Sequence, residues 1–335
     1  MSARIAAVDY YLPQEVLTNA DLSAQFPEWS VEKIASKTGI HRRHISAADE
    51  FSSDLATAAG RKLFADHGIE PESIEYLIVC TQSPDFYLPS TACIVQEQLG
   101  IPTTAGATDI TLGCSGYIYA LGLAKGLIES GQVSNVLVIT ADTYTKFINP
   151  SDKSVRTIFG DGAAATLVLG DGAADAITAI TYGTDGSGAK ALIVPSGGLR
   201  SGGSVQPKSD PAARSLEATQ YDLYMDGPDI FNFTLDVVPS SVSKILEKAG
   251  LTEDQVDLFV FHQANAFMLE HLRKKLGVPA EKFFVALEDF GNTVSSTIPI
   301  ALTEAERQGR LQPGMRVMLL GFGVGLSWGG LITTW

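Results

Sequence analysis

The chain repeats itself, and this constrains its fold more than any other feature. Gly68-Ile69-Glu70-Pro71-Glu72-Ser73-Ile74-Glu75 leads into an apolar strand-like run, and Gly250-Leu251-Thr252-Glu253-Asp254-Gln255-Val256-Asp257 leads into another. Each run passes through a helical stretch to a similar end, Leu99-Gly100-Ile101-Pro102 and Leu276-Gly277-Val278-Pro279. Further on, Glu129-Ser130-Gly131-Gln132-Val133 matches Arg307-Gln308-Gly309-Arg310-Leu311 at an offset of 178 residues (309 − 131). Chance likeness of short α/β segments is the alternative; four landmarks in one order weigh against it. The expectation is two related halves, residues 1–172 and 173–335, packed about a pseudo-two-fold axis. The same offset carries Cys114 onto Asn292 (292 − 114). Equivalent loops converge near such an axis, so Cys114, His262 and Asn292 can share one cleft despite their separation in sequence.

Within each half, apolar runs alternate with helical patterns. Strand-like runs include Tyr76–Cys80, Val136–Thr140, Ala164–Leu169, Leu258–Phe261 and Arg316–Leu320. Helix-like segments include Ser53–His67, Ser115–Ser130, Pro239–Ala249, Ala266–Leu276 and Ser295–Gln308. That alternation predicts an α/β fold with helices packed on sheets. At 335 residues and 45% hydrophobic, the chain can bury one large core or two modest ones.

Charge and cysteine usage narrow the function. A net charge of −14 argues against nucleic acid as the main partner, because phosphate binding needs a clustered basic surface. Two small basic clusters, Lys37 with Arg42 and Arg43, and Arg273 with Lys274 and Lys275, could still dock an acidic partner or simply be solvated. No apolar run approaches the ~20 residues of a membrane span, and no signal peptide is apparent. Three cysteines fit a reducing cytoplasm and no disulfide framework. No cysteine or histidine pair has metal-ligand spacing, so no metal is expected.

Three residues carry the candidate chemistry. Cys114 sits in Gly113-Cys114-Ser115-Gly116-Tyr117, where a strand-like run meets an apolar helix. A thiol at a helix N-terminus feels the positive end of the dipole, which favours thiolate. Cys80 and Cys93 lack that setting and read as core residues. His262 follows the strand Leu258–Phe261, and strand ends are where α/β folds expose working groups. Asn292, in Gly291-Asn292-Thr293, would ordinarily be a turn or cap residue; its repeat relation to Cys114 singles it out. Gly321-Phe322-Gly323-Val324-Gly325 lacks dinucleotide-loop spacing and continues as a strand, so no cofactor site is expected there.

With Phe159-Gly160-Asp161-Gly162-Ala163 added, these motifs resemble, in order and over essentially the whole chain, the 3-oxoacyl-[acyl-carrier-protein] synthase III family of the thiolase superfamily. The resemblance implies a five-layered αβαβα fold and a homodimer. It implies that Cys114 takes an acyl group from acyl-CoA, with the N–H groups of Cys114 and Gly325 holding the oxyanion. A malonyl thioester, usually on acyl-carrier protein, then loses CO2 while His262 and Asn292 stabilise the enolate. Substrate contacts implied for CoA or carrier protein are Lys37, Lys153, Arg156, Phe267, Arg273 and Lys274, with Leu88 as acyl-pocket gate. Several positions depart from the family pattern. Lys33 stands where a Trp often stacks on adenine, Lys153 and Phe267 where Arg is common, Leu88 where Phe is frequent, and Val324 where Gly is usual. Two other readings stay open. The chain could pass its acyl group to a non-malonyl nucleophile, or serve as a silent partner of an active homologue.

Overall fold

The computed structural model describes residues 2–171, 177–199 and 220–335. The chain begins with β1 (Ala3–Tyr11), β2 (Glu15–Thr18), α1 (Asn19–Gln25), α2 (Val31–Thr38), β3 (Arg42–Ile45), α3 (Ser52–His67) and β4 (Tyr76–Cys80). There follow α4 (Thr91–Leu99), β5 (Gly106–Ile110), α5 (Gly116–Glu129), β6 (Asn135–Asp142), α6 (Lys153–Arg156) and β7 (Gly162–Gly170). Next come β8 (Ile177–Thr184), β9 (Leu192–Ile193), β10 (Tyr224–Met225), α7 (Gly227–Ala249), β11 (Leu258–Phe261) and α8 (Ala266–Leu276). The last elements are β12 (Phe283–Phe284), α9 (Thr297–Arg307), β13 (Arg316–Gly323) and β14 (Ser327–Thr334).

Two five-stranded sheets form, in the orders β1-β7-β6-β4-β5 and β8-β14-β13-β11-β12. In each, the first three strands are antiparallel and the remainder parallel. Order and sense agree strand for strand, which is what the sequence repeat requires.

The sequence of α5, Gly-Tyr-Ile-Tyr-Ala-Leu-Gly-Leu-Ala, is apolar on nearly every side, which suits a central helix, and only Leu123 of this stretch stays exposed. Both α5 and α9 pack against strands of both sheets, forming a central layer. Ile78 and Val138 from one sheet meet Val260 and Leu319 from the other across Tyr117, Leu121, Ile298 and Leu302. On the outer faces, α3 and α4 cover the first sheet and α7 covers the second, with α8 packed on α7. The result is five αβαβα layers.

Two expectations are corrected here. Helix α7 does not start at Pro239; it runs from Gly227, with Asp226 capping it by accepting the Asp229 N–H at 3.0 Å. Proline inside a helix removes the donor that would reach the carbonyl one turn back. That carbonyl, Leu235 C=O, accepts instead from Lys275 Nζ at 2.7 Å, so the helix continues. Arg43 is no surface residue: it is fully buried. Its guanidinium donates to Leu17 C=O, Asn19 Oδ1 and Thr157 C=O. Burial pushes its pKa down to about 10. Removing it strands two buried acceptors, each worth about 1–3 kcal/mol, and a part-buried third. Arg43→Ala is therefore expected to lower stability by about 3 kcal/mol or more, read as a shift of the urea midpoint; a change under ~0.5 kcal/mol would contradict this.

Candidate active site

Cys114 lies in the tight turn between β5 and α5, closed by the Gly116 N–H donating to Gly113 C=O at 2.7 Å. The residue is 5% exposed. Burial pushes its thiol up to about 12; the N–H groups of Val324 and of Cys114 itself pull it back, while Asp142 adds to the rise. The expected dipole-favoured thiolate is thus outweighed by desolvation, and the resting group is a thiol. From the glycine loop it is the Val324 backbone that interacts with the sulfur, next to Gly325. Gly323 makes the approach possible. It sits at φ 157°, and a Cβ there would lie 2.8 Å from both Cβ and Sγ of Cys114.

His262 follows β11, its N–H donating to Leu320 C=O of β13 at 2.8 Å. It is 2% exposed, and burial lowers its pKa to about 3, so the imidazole is neutral. Nδ1 meets Thr297 Oγ1 at 2.7 Å, which leaves Nε2 to the cavity. Phe322 stands edge-on to the ring at 5.6 Å and limits its rotation.

Asn292 is held by backbone and side chain alike. Its N–H donates to Ile158 C=O at 2.9 Å, and its C=O accepts from Gly160 N–H at 3.0 Å. The Phe159-Gly160-Asp161-Gly162 motif thus carries the asparagine. Asp161, buried beneath it, accepts from the N–H groups of Ser46 and Thr145. The Oδ1 of Asn292 accepts the Val294 N–H at 3.0 Å, leaving the Nδ2 hydrogens for a ligand. Val294 has φ 55°, a left-handed conformation that β-branched residues rarely adopt. In that conformation its C=O also accepts from Thr297 Oγ1 at 3.2 Å. One strained residue therefore ties the asparagine to the hydroxyl that meets His262.

The three side chains line one cavity of about 170 Å³, together with Phe159, Met225 and Phe231. A larger cavity of about 740 Å³ is lined by Gln82, Tyr87, Tyr144, Leu223 and Val324, and Leu192 borders both.

The expected substrate contacts lie apart from this centre. Lys37 and Lys153 flank the ring of Trp29 at 4.9 and 5.8 Å, with Lys33 at 5.4 Å. Trp29 lies four residues before Lys33, the position where an aromatic was sought, and ahead of the start of α2. Lys153 also pairs with Glu28 at 2.6 Å. Arg156 is half-buried on α6, its Nε without a hydrogen-bond partner. Phe267 is 54% exposed and stacks on His271 at 4.2 Å and Phe231 at 5.7 Å, giving the cavity rim an aromatic edge. Arg273 and Lys274 are both engaged by Glu270, at 2.8 and 3.1 Å. Leu88 is 83% exposed and lines neither cavity; its neighbours Phe86 and Tyr87 line the larger one. Among the described residues, no cluster of His, Cys, Asp and Glu could hold a metal, and no helix could cross a membrane.

The duplicated five-layered fold, with a buried cysteine at the mouth of its central helix, places the chain among the thiolase-like acyltransferases. Comparison with known proteins narrows this. The family model described as 3-oxoacyl-[acyl-carrier-protein (ACP)] synthase III matches residues 108–186, and that of its C-terminal part matches residues 246–335. A beta-ketoacyl-[acyl-carrier-protein] synthase III of Caldanaerobacter subterraneus subsp. tengcongensis is 38% identical over 335 residues, covering 100% of this chain and 98% of the relative. A crystal structure of a 3-oxoacyl-(acyl-carrier-protein) synthase III shares 47% identity at a TM-score of 0.96, each chain covered in full at 100%. One from Burkholderia xenovorans shares 38% at 0.92, covering 100% of this chain and 94% of the other. The chain belongs to the 3-oxoacyl-[acyl-carrier-protein] synthase III family.

Proposed function

We propose that the chain condenses an acyl group, taken from acyl-CoA onto Cys114, with a malonyl thioester on acyl-carrier protein. The observation that carries this reading is the single 170 Å³ cavity lined by Cys114, His262 and Asn292. In the first half-reaction the sulfur bonds the acyl carbon, the CoA sulfur leaves, and the thiol proton passes to it. The N–H groups of Cys114 and of the glycine loop, Gly325 or its neighbour Val324, are assigned to the oxyanion. In the second, the malonyl C–CO2 bond breaks, and Asn292 Nδ2 and His262 Nε2 donate to the thioester oxygen that becomes the enolate. The enolate carbon bonds the acyl carbon, the Cys114 sulfur leaves, and one proton restores the thiol. That role puts the proton of neutral His262 on Nε2, which requires the single Thr297 hydroxyl hydrogen to turn from Val294 C=O to Nδ1.

Trp29 offers a flat face for adenine, and Lys33, Lys37 and Lys153 offer charge for the CoA phosphates. Arg156 of α6 is assigned to the same ligand, and the Phe267, Arg273 and Lys274 face of α8 to the carrier protein. Exposed Phe86, Tyr87 and Leu88 support a homodimer in which this loop is covered and Leu88 gates the acyl pocket. No cofactor beyond the thioester substrates is invoked, and a cytoplasmic location fits the free thiols.

Purified protein given acetyl-CoA and malonyl-acyl-carrier protein is expected to release CO2 and form a 3-oxoacyl product. An acylated Cys114 without CO2 release would favour transfer to another nucleophile; no acylation would favour the silent partner. A pH profile checks the histidine. Its pKa in the folded chain is about 3, below the usual 6.5, so it stays neutral across roughly pH 5–8. Malonyl decarboxylation should therefore show no inflection near 6.5, whereas a half-loss there as pH falls would mean that the ring titrates normally.

A further inference from the structure

The larger cavity contains a polar pair that the condensation does not use. Gln82 is held at both ends: its backbone N–H donates to Asp142 at 2.8 Å, and its Oε1 accepts the Tyr144 hydroxyl at 2.8 Å. Tyr144 is buried, packed edge-on to Phe147 and tilted against Phe159, and cannot swing away. The amide's other atom, Nε2, has no hydrogen-bond partner among the described residues. The pair is also close to the nucleophile. A Cβ on Gly113, the residue before Cys114, would lie 2.4 Å from Gln82 Oε1 and 2.6 Å from Val324 Cγ1. Gln82, Thr111, Tyr144 and Val324 all line the larger cavity.

An acyl chain attached to Cys114 that runs past Gly113 and Val324 into the larger cavity would meet this amide. A plain alkyl chain laid over Nε2 strips its water and returns nothing, leaving a desolvated donor. An oxygen at that point accepts its hydrogen bond. Sites built to bind a polar group discriminate strongly against analogues lacking it. We propose that, among acyl groups long enough to reach this amide, the chain prefers those with a hydroxyl or keto oxygen on the third or fourth carbon, bound by Gln82 Nε2. This rests on the reading of Cys114 as acyl acceptor.

The test measures CoA release and intact mass with butyryl-CoA against 3-hydroxybutyryl-, 4-hydroxybutyryl- and acetoacetyl-CoA. Wild-type protein is expected to acylate with at least one oxygenated thioester about tenfold or more faster than with butyryl-CoA. The best of the three identifies hydroxyl or keto and its position. Gln82→Leu should bring that ratio to about one or reverse it while still accepting butyryl-CoA. Equal or faster butyryl transfer by the wild type, or an unchanged ratio in Gln82→Leu, overturns the proposal. Should that variant fail to fold, Tyr144→Phe, which releases the amide to rotate, must lower the ratio severalfold; an unchanged ratio there has the same force. Acylation by none of the thioesters, acetyl-CoA included, would instead remove the acyl-cysteine reading beneath it.

Discussion

A Cys114→Ala variant incubated with acyl-CoA is expected to gain no acyl mass and to form no 3-oxoacyl product. The loss should be at least about 10⁴-fold, the scale seen when a covalent nucleophile is removed from its machinery. The other two cysteines cannot substitute. Cys80 is buried against Leu112 C=O, and Cys93, expected in the core, is instead exposed on α4 on the outer face of the first sheet. Deleting one buried sulfur from a site already opened by Gly323 should cost only about 1–2 kcal/mol, so the variant remains folded. Intact-mass measurement beside a thermal melt reads both quantities. Continued acylation of the folded variant would show that another residue carries the acyl group.

Asn292→Ala separates the two half-reactions. The Nδ2 donor is aimed at the cavity because Val294 N–H occupies Oδ1, whereas the amides held to the sulfur come from Cys114 and Val324. Acylation of Cys114 should therefore stay within a few-fold of wild type. Decarboxylation of the malonyl thioester should fall by about 10²–10³, the usual effect of losing one oriented donor to a developing oxyanion. The backbone bonds to Ile158 and Gly160 do not depend on the side chain and should hold the loop. Trapped acyl-enzyme with little CO2 is the expected signature. A parallel loss of both steps would mean that the asparagine shapes the turn and takes no separate part.

The outcome of reading residues alone follows from what each feature depends on. Strands β4 and β11 and helix α8 are bounded where their apolar runs end, since local pattern and burial agree there. The pairing of Cys114 with Asn292 was legible because duplication leaves an offset, which needs no knowledge of packing. The start of α7 was misplaced because its support, Lys275 reaching Leu235, comes from 40 residues away in sequence. Arg43 was misread because a basic residue is normally exposed, and only the closed fold supplies its three acceptors. The approach of Val324 to the sulfur escaped because the backbone makes it, for which side-chain identity carries no signal. Thr297 and Val294 escaped for a related reason: their part is to orient neighbours. The thiolate expectation failed on magnitude, since dipole and burial oppose each other at Cys114 and the sequence does not weigh them.

The division of the centre between two sheets has a consequence for what can be cut apart. The sulfur hangs from the loop after β5, while the imidazole and carboxamide hang from β11 and the turn before α9. Fragments severed between β7 and β8 would each expose the apolar faces that α5 and α9 now seal, and neither would retain more than part of the reactive group. Activity could return only through reassociation of the two pieces, so catalytic turnover in a mixture of such fragments would count correctly docked pairs.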